Sequence, residues 1–230
     1  MPFTTKTAKR EPFFPSILLS GPSKSGKTYG ALLLAKGFGG KTVLIDTENR
    51  RSKLYGSLFK FEVVEFDPPF SPERFREAMK TALASSPTTV IIDSATHEWL
   101  GKGGILRELD DMPGTNTAVK WGKLTPRHES FMDSLTAAPK CFVIVTCRAK
   151  EKIKLEEVKK DGVVKTEVRR LGLQPMQRWD FKYGFTLFYA LSPETNRVRV
   201  AGSIEGAPVP DGVLTAEFGK QIASWALMKK

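Results

Sequence analysis

Short runs of apolar residues recur along the first two-thirds of the chain, and they lack the polar alternation of a strand with one face in water. Four such runs are Ser16–Ser20, Thr42–Asp46, Thr89–Asp93 and Cys141–Thr146. A strand that is apolar on both faces is typical of a parallel sheet covered on both sides. A further strand is expected at Phe61–Phe66, where the turn residues Asp67-Pro68-Pro69 end it.

Helical segments are expected between these strands. Ser71 is suited to cap a helix over Pro72–Ala84, with proline at its first position. Further helices are predicted at Thr28–Lys36, Pro126–Ala137 and Thr215–Met228. Strands that alternate with helices through short loops predict an α/β fold, with a mainly parallel sheet and helices on both faces.

The pattern changes after Thr146. The charged segment Arg148–Arg170 is predicted to form two strand-like segments joined by a hairpin turn at Asp161-Gly162. Phe181–Leu191 and Arg197–Ile204 are predicted as two antiparallel strands, followed by the terminal helix. We expect one domain over residues 15–230, preceded by a basic tail over residues 1–14.

The composition adds constraints on location and partners. The 230 residues carry a formal net charge of +11, which favours a polyanionic partner, although a merely basic protein is the alternative. No apolar run is long enough to cross a bilayer and no signal-peptide pattern is present, so a cytoplasmic chain is expected. Cys141 and Cys147 have no metal-ligand spacing and are expected to be buried and free.

A complete P-loop follows the first strand. It comprises Gly21, Pro22, Ser23, Lys24, Ser25, Gly26, Lys27 and Thr28. Its glycines allow backbone amides to surround phosphate oxygens, Lys27 is expected to neutralise the β- and γ-phosphates, and the Thr28 hydroxyl to bind Mg²⁺. This motif predicts binding of ATP with magnesium, and we count the following Tyr29 among the nucleotide-binding candidates.

Hydrolysis requires two carboxylates beside the P-loop. Asp93 ends a buried strand and is the expected second magnesium ligand. Ser94 follows it, so the base that activates water must come from elsewhere. Glu48 and Glu98 are the two candidates; Glu48 is favoured because it ends a strand at the carboxyl edge of the sheet, whereas Glu98 is expected to point away.

The segments Val43–Glu48 and Val90–Thr96 resemble the corresponding strands of RecA-type recombinase ATPases, and the resemblance covers about residues 15–150. It implies a RecA-like P-loop core in which Glu48 is the catalytic base. The form it resembles most is the compact RecA-like ATPase of bacteriophages, a group that includes single-strand annealing proteins. Where recombinases carry an Asn-Gln pair that senses the γ-phosphate, this chain has Cys147-Arg148, and Arg148 is expected to contact phosphate instead.

The resemblance also implies contacts with DNA and with neighbouring subunits. The basic hairpin supplies the DNA-binding candidates, which are Lys150, Lys152, Lys154, Lys159, Lys160, Lys165, Arg169 and Arg170. The alternative is a solvated hairpin balanced by its own acidic residues. Arg197 and Arg199 are candidates for reaching a neighbour's nucleotide in trans, or else lie solvated on an edge strand. Trp121, Trp179 and Phe181 are either base-stacking residues or part of the core.

Taken together, these features predict an ATPase that acts on single-stranded DNA in phage-type recombination, by strand annealing, or in replication. DNA stimulation of hydrolysis is expected, as are self-association into a ring or filament and contact with a single-strand-binding protein. Within the ATPases, the alternative is a helicase loader or helicase-like motor. The alternative from another functional class is a nucleotide-dependent switch for protein assembly that binds no nucleic acid. For a phage protein, the location is the cytoplasm of the bacterial host.

Overall fold

The computed structural model describes residues 3–137, 140–160, 163–193, 197–202 and 204–228. Of residues 157–160, 163–165, 170 and 199–201 it describes the backbone alone. In chain order the elements are β1 (Ser16–Gly21), α1 (Lys27–Phe38), β2 (Thr42–Asp46), β3 (Glu62–Glu65), α2 (Pro72–Ala84), β4 (Thr89–Asp93), α3 (Thr96–Leu100), α4 (Ile105–Asp111), α5 (Thr117–Thr136), β5 (Phe142–Lys160), β6 (Val163–Pro175), β7 (Leu187–Leu191), β8 (Val198–Gly202) and α6 (Ala216–Leu227). No helix among these residues is long and apolar enough to cross a membrane.

The main sheet has the strand order β3-β2-β4-β5-β1-β7-β8. All neighbouring pairs from β3 to β7 are parallel, and β7 and β8 are antiparallel. Helices cover both faces. The expected architecture, a mainly parallel sheet with helices on both faces, antiparallel C-terminal strands and a terminal helix, is therefore confirmed.

Alternating side chains of the central strands supply two separate cores. Leu18 of β1 packs with Val43, Val90 and Val143 on one face, together with apolar residues of α2 and α5. Ile17 and its counterparts in β2, β4 and β5 face the other way, against α1 and α6. Because both faces of these strands are buried, the runs that encode them are continuously apolar.

The strand β5 has two parts. Its first residues lie between β4 and β1 in the parallel sheet, where Arg148 is opposite Gly21. From Ala149 onward it pairs antiparallel with β6, and this two-stranded ribbon, residues 149–160 and 163–175, is called the arm below. The arm corresponds to the predicted hairpin; its predicted turn at Asp161-Gly162 lies outside the described residues.

Two sequence-based boundaries are wrong. The helix predicted to begin at Pro126 begins at Thr117 instead, and Asn116 caps it by accepting a hydrogen bond from the Val119 N–H at 3.2 Å. Pro126 lies inside this helix on an exposed position, where water can satisfy the carbonyl that loses its partner. The strand predicted over Phe181–Leu191 forms only from Leu187, because Phe181–Gly184 is a turn of 3₁₀ helix.

Helices α1 and α6 approach closely at two glycines. A Cβ atom on Gly219 would lie 2.6 Å from the Leu34 carbonyl oxygen, and one on Gly37 would lie 2.1 Å from the Ala216 carbonyl oxygen. A side chain at either position would separate the helices that cover one face of the sheet. This contact therefore requires glycine for space.

We expect Gly219→Ala to lower the free energy of unfolding by about 1–3 kcal/mol, the usual cost of overpacking a tight contact. The matched control is Gly122→Ala in α5, where a Cβ would meet no atom within 4 Å. That control should gain about 0.5–1 kcal/mol, because alanine is the better helix former. Urea denaturation of the two variants measures both values; equal effects would contradict the close approach of α1 and α6.

Candidate functional site

The P-loop lies between β1 and α1, and its backbone requires glycine. Gly26 precedes α1 with φ of 81°, in the left-handed region. A Cβ on Gly21 would lie 2.4 Å from the Ser25 Oγ and 2.8 Å from the Leu191 carbonyl oxygen. The loop thus curls tightly over the N-terminus of a twelve-residue helix, whose free N–H groups favour an anion.

The lysine of the loop is folded back over it. The Lys27 Nζ donates a hydrogen bond to the Pro22 carbonyl at 2.7 Å. Burial lowers the pKa of Lys27, and the nearby carboxylates of Asp93 and Glu48 oppose this effect. The ammonium group therefore lies at the loop, with two carboxylates in its electrostatic environment.

Thr28 and Asp93 meet at the carboxyl end of β4. The Thr28 hydroxyl donates to one carboxylate oxygen of Asp93 at 2.6 Å, and the Thr146 hydroxyl donates to the other. Asp93 is buried, which raises its pKa, although both hydroxyls act in the opposite direction. A hydroxyl and a carboxylate are hard oxygen ligands of the kind Mg²⁺ prefers, so the donor set fits this ion.

A protein-only metal cage is absent from the described part of the chain, where no cluster of three or more His, Cys, Asp or Glu side chains is suited to a metal. Magnesium commonly uses one or two protein ligands, with phosphate oxygens and water completing its shell. Thr28 and Asp93 are thus sufficient as the protein's share of such a site.

Glu48 forms a two-pronged ion pair with Arg148. The Arg148 Nη2 lies 2.6 Å from Oε2 and 2.8 Å from Oε1 of Glu48, and Nε lies 3.1 Å from Oε1. The Ser94 hydroxyl also donates to Oε1, at 3.2 Å. Both carboxylate oxygens are therefore engaged, and the pair joins the segment just beyond β2 to β5, across the intervening strand β4.

The environment of Glu48 keeps it ionised. Burial on its own would raise the pKa of Glu48, but the hydrogen bonds and charge of Arg148 outweigh it and lower the pKa below its ordinary value. For a carboxyl whose pKa falls on folding, the stabilising contribution is present at neutral pH and is lost as pH falls through the lowered pKa. The carboxylate is therefore charged at neutral pH.

His97, to which the sequence assigned no chemistry, lies beside this pair. Its Nδ1 is 2.7 Å from the Thr47 Oγ1, and its Nε2 is 3.4 Å from the Arg148 Nη2. Its ring stacks on Phe70 with centroids 4.9 Å apart. Burial lowers the pKa of His97, which favours the neutral imidazole at neutral pH.

A cavity of about 230 Å³ lies among the P-loop, Glu48, Asp93 and Arg148. Its walls include Ser23, Lys24, Gly26, Lys27, Thr28, Glu48, Asp93 and Arg148 from the predicted site. Arg51, Leu54 and Tyr55 also line it and were not identified from the sequence. They belong to the 3₁₀ segment Arg51–Tyr55, which begins three residues after Glu48, and their only signal in the sequence was their position beyond the carboxyl end of β2.

Other predicted residues lie near this cavity without lining it. Tyr29 packs against Tyr55 and Phe59, with ring centroids 6.0 and 5.5 Å away. The Pro22 carbonyl accepts the hydrogen bond from Lys27, and the buried Ser25 hydroxyl has no hydrogen-bond partner among the described residues. The rejected base, Glu98, is fully buried and binds His128 and Gln177.

The predicted DNA-contacting residues lie along the arm. The side chains of Lys150, Lys152, Lys154 and Arg169 are exposed. Those of Lys159, Lys160, Lys165 and Arg170 lie outside the described side chains, as does that of Arg199. Arg197 is exposed and pairs with Val213 just before the edge strand β8. The arm is thus separate from the nucleotide cavity but is carried by the strand that supplies Arg148.

Comparison with known proteins places the chain in a family. Residues 14–178 match a family model described as AAA domain, so the chain belongs to this AAA-domain family. This membership confirms the P-loop ATPase class predicted from the sequence. A similar solved structure, described as the crystal structure of the RadB recombinase, is 17% identical, covers 78% of this chain and 76% of that chain, and has a TM-score of 0.42. None of the curated proteins compared with the chain matches it.

Proposed function

We propose that this member of the AAA-domain family is a RecA-like ATPase that binds ATP with Mg²⁺ and acts on single-stranded DNA, in phage-type recombination or replication. The observation that carries the proposal is the Glu48–Arg148 ion pair, which places a charged carboxylate and a guanidinium beside the P-loop. A hydrolytic site needs a base for water and cations for the phosphates, and both lie in one cavity.

Phosphate binding, ion binding and water activation are each assigned to different groups of the chain. The P-loop amides and Lys27 bind the phosphates, and Thr28 and Asp93 hold the ion. Mg²⁺ held by these two side chains would supply charge neutralisation for the phosphates. Glu48 orients the attacking water and accepts its proton. Tyr55 and Leu54 offer apolar surface at the cavity wall, which suits the nucleoside.

Arg148 determines whether Glu48 is available. In the pair, the guanidinium hydrogen-bonds both carboxylate oxygens and its charge lowers the pKa of Glu48, so the carboxylate is a weaker base for the proton of water than it would be without Arg148. A γ-phosphate is a stronger attraction for a guanidinium than a single carboxylate, because it carries more charge and also accepts two-pronged hydrogen bonds. Arg148 is therefore expected to transfer to the γ-phosphate and release Glu48 when ATP binds.

The arm supports the nucleic-acid half of the proposal. Lys150, Lys152 and Lys154 recur at every second position of β5. The pairing with β6 shifts register between Glu151 and Ile153, but the extra residue lies on β6, so the alternation along β5 places the three lysines on one face of the arm. Contacts of lysine with phosphates are independent of base sequence and weaken steeply with salt. Such contacts suit a protein that binds single strands generally.

ATPase activity with and without a single-stranded homopolymer tests both halves together. We expect the single strand to stimulate the wild type, and Glu48→Gln to lower the stimulated rate by about 10²–10⁴-fold while retaining ATP binding, since it removes the base but not the phosphate contacts. Lys27→Ala should abolish ATP binding and nucleotide-dependent DNA binding.

The matched control is Glu77→Gln, which makes the same change on the exposed face of α2 and should leave the rate unchanged. Full activity in Glu48→Gln would overturn the assignment of the base. An ATPase rate that does not change when single strands are added would support the ATPase activity but contradict single-stranded DNA as its partner.

The opposite face of the arm supports self-association. Leu155 and Val168 are directly opposite in the register, Ile153 lies two residues before Leu155, and all three are more than half exposed. A two-stranded ribbon with an uncovered apolar face is marginal by itself, and contiguous exposed apolar surface commonly marks an interface. We propose that a neighbouring subunit covers this face in a ring or filament.

Sedimentation velocity with a non-hydrolysable ATP analogue tests the assembly. The double variant Ile153→Ser/Leu155→Ser should shift the wild-type oligomer toward monomer, because it removes the apolar surface that the neighbour would cover. Val119→Ser alters an equally exposed apolar residue on α5 and should not. The same oligomer in all three proteins would exclude the arm as the interface.

A further inference from the structure

A second cavity, of about 440 Å³, lies at the base of the arm. We call it the arm-base cleft. Its apolar walls are formed by Trp99 and Leu106 from the helices after β4, by Leu171, Leu173 and Pro175 at the end of β6, and by Phe188 of β7. It shares no lining residue with the nucleotide cavity, so it is open to a different ligand.

The charged side chains that line this cleft are all cationic. They are Lys150, Arg178 and Lys182, and no aspartate or glutamate is among the described lining residues. Arg178 is held by Asp180 at 2.8 Å and by Glu129 at 3.8 Å. Lys150 and Lys182 form no salt bridge with any residue in the described part of the chain, so their charge is available to an anion.

An exposed tryptophan stands at the mouth of the cleft. Trp179 is 79% exposed, and Tyr183, 70% exposed, lies beside it with ring centroids 6.3 Å apart. The Lys182 ammonium lies 5.2 Å from the centre of the Tyr183 ring. The two other aromatic candidates differ, because Phe181 is buried and Trp121 stacks on Trp99. Of the three, Trp179 is the most exposed.

The cleft is continuous with the basic face of the arm. Lys150 lines the cleft, and Lys152 and Lys154 follow it at alternate positions of β5. Successive lysines in such a row are about 7 Å apart, twice the rise of a strand residue. A polyanion lying on this row would therefore enter the cleft at Lys150.

We propose that the arm-base cleft binds the nucleobases of a single strand, with one base stacked on Trp179 and the flanking phosphates at Lys150 and Lys182. This inference rests on the proposed action on single-stranded DNA and adds the place where bases are held. Stacking on an aromatic ring beside cations is the common way to bind single strands without base specificity. A duplex would be excluded, because its bases are already stacked on each other.

Fluorescence anisotropy with labelled oligothymidylate, in the presence of a non-hydrolysable ATP analogue, tests the cleft in the full chain. Trp179→Leu, which keeps an apolar side chain but removes the ring, should weaken binding by about 5- to 100-fold, the range expected for one lost base stack. Trp179→Phe keeps a ring and should bind within a few-fold of the wild type. ATP binding by both variants should be unchanged.

The lysines are tested by the salt dependence of the same titration. Lys150→Gln and Lys182→Gln should each reduce the slope of log affinity against log salt by about 0.7, the value for one phosphate contact on a single strand. Lys80→Gln, an exposed lysine on α2, is the matched control and should leave the slope unchanged.

The outcomes separate this inference from the proposed function. If the wild type binds no single strand, the proposed function fails and the cleft loses its ligand. If the wild type binds and Trp179→Leu binds equally well, the function stands and the cleft is overturned. Capture of a labelled acidic peptide with an apolar end, equally by wild type and Trp179→Leu but not by Lys150→Gln/Lys182→Gln, would instead make the cleft a peptide site.

Discussion

The ion pair between Glu48 and Arg148 is the interaction on which the rest of the site depends. Glu48 lies two residues beyond the end of β2 and Arg148 lies in β5, and Ser94, directly after the intervening β4, adds a fourth hydrogen bond to Glu48. Glu48 has only 16% of its side chain exposed, and a carboxylate at that depth is costly without a cationic partner. The carboxyl ends of three adjacent strands are thereby held together, with Asp93 between them and the P-loop beside them.

The strand β5 connects this pair to the arm and the arm-base cleft. Arg148 is opposite Gly21 in the parallel sheet, whereas the next residue, Ala149, already pairs with Pro175 in the arm. The Arg148 backbone is fixed on both sides, since its N–H donates to the Thr96 Oγ1 at 2.8 Å and its carbonyl accepts from the Met176 N–H at 2.6 Å. Its side chain is 41% exposed. The backbone thus stays in register while the guanidinium can exchange partners.

The segment after the arm is anchored to the same region. The Gln177 amide donates to the Glu98 carboxylate at 2.8 Å and to the Ala95 carbonyl at 3.1 Å, and both acceptors lie just beyond β4. The floor of the arm-base cleft is therefore hydrogen-bonded to the segment that follows β4. Arg148 and the arm-base cleft are therefore connected through one contiguous network of contacts.

Much of the fold could be predicted from the sequence because the signals were local. The bounds of β2, α2 and β4 agree with the prediction to the residue, since buried strands are short apolar runs and a Ser-Pro start defines the helix. The start of α5 could not be predicted, because proline is typical of the first turn of a helix. Pro126 instead lies inside α5, where its exposure allows it to be tolerated.

The site was predictable to the extent that a motif fixes it. Lys27, Thr28, Glu48, Asp93 and Arg148 line one cavity, as the P-loop motif and the predicted parallel order of the strands imply. That Arg148 binds Glu48 depends on the spacing of β2, β4 and β5, which no local pattern contains. The contributions of Arg51 and Tyr55, and the exposure of Trp179 beside a buried Phe181, depend likewise on tertiary packing.

The most direct test of this account is a crystal structure with Mg²⁺ and a non-hydrolysable ATP analogue, compared with one containing ADP. The account predicts that the analogue draws the Arg148 guanidinium to within hydrogen-bond distance of the γ-phosphate, leaving a carboxylate oxygen of Glu48 free to bind a water in line with that phosphate. With ADP, the Glu48–Arg148 pair should remain. An intact pair in the presence of the analogue, with no water on Glu48, would contradict the account.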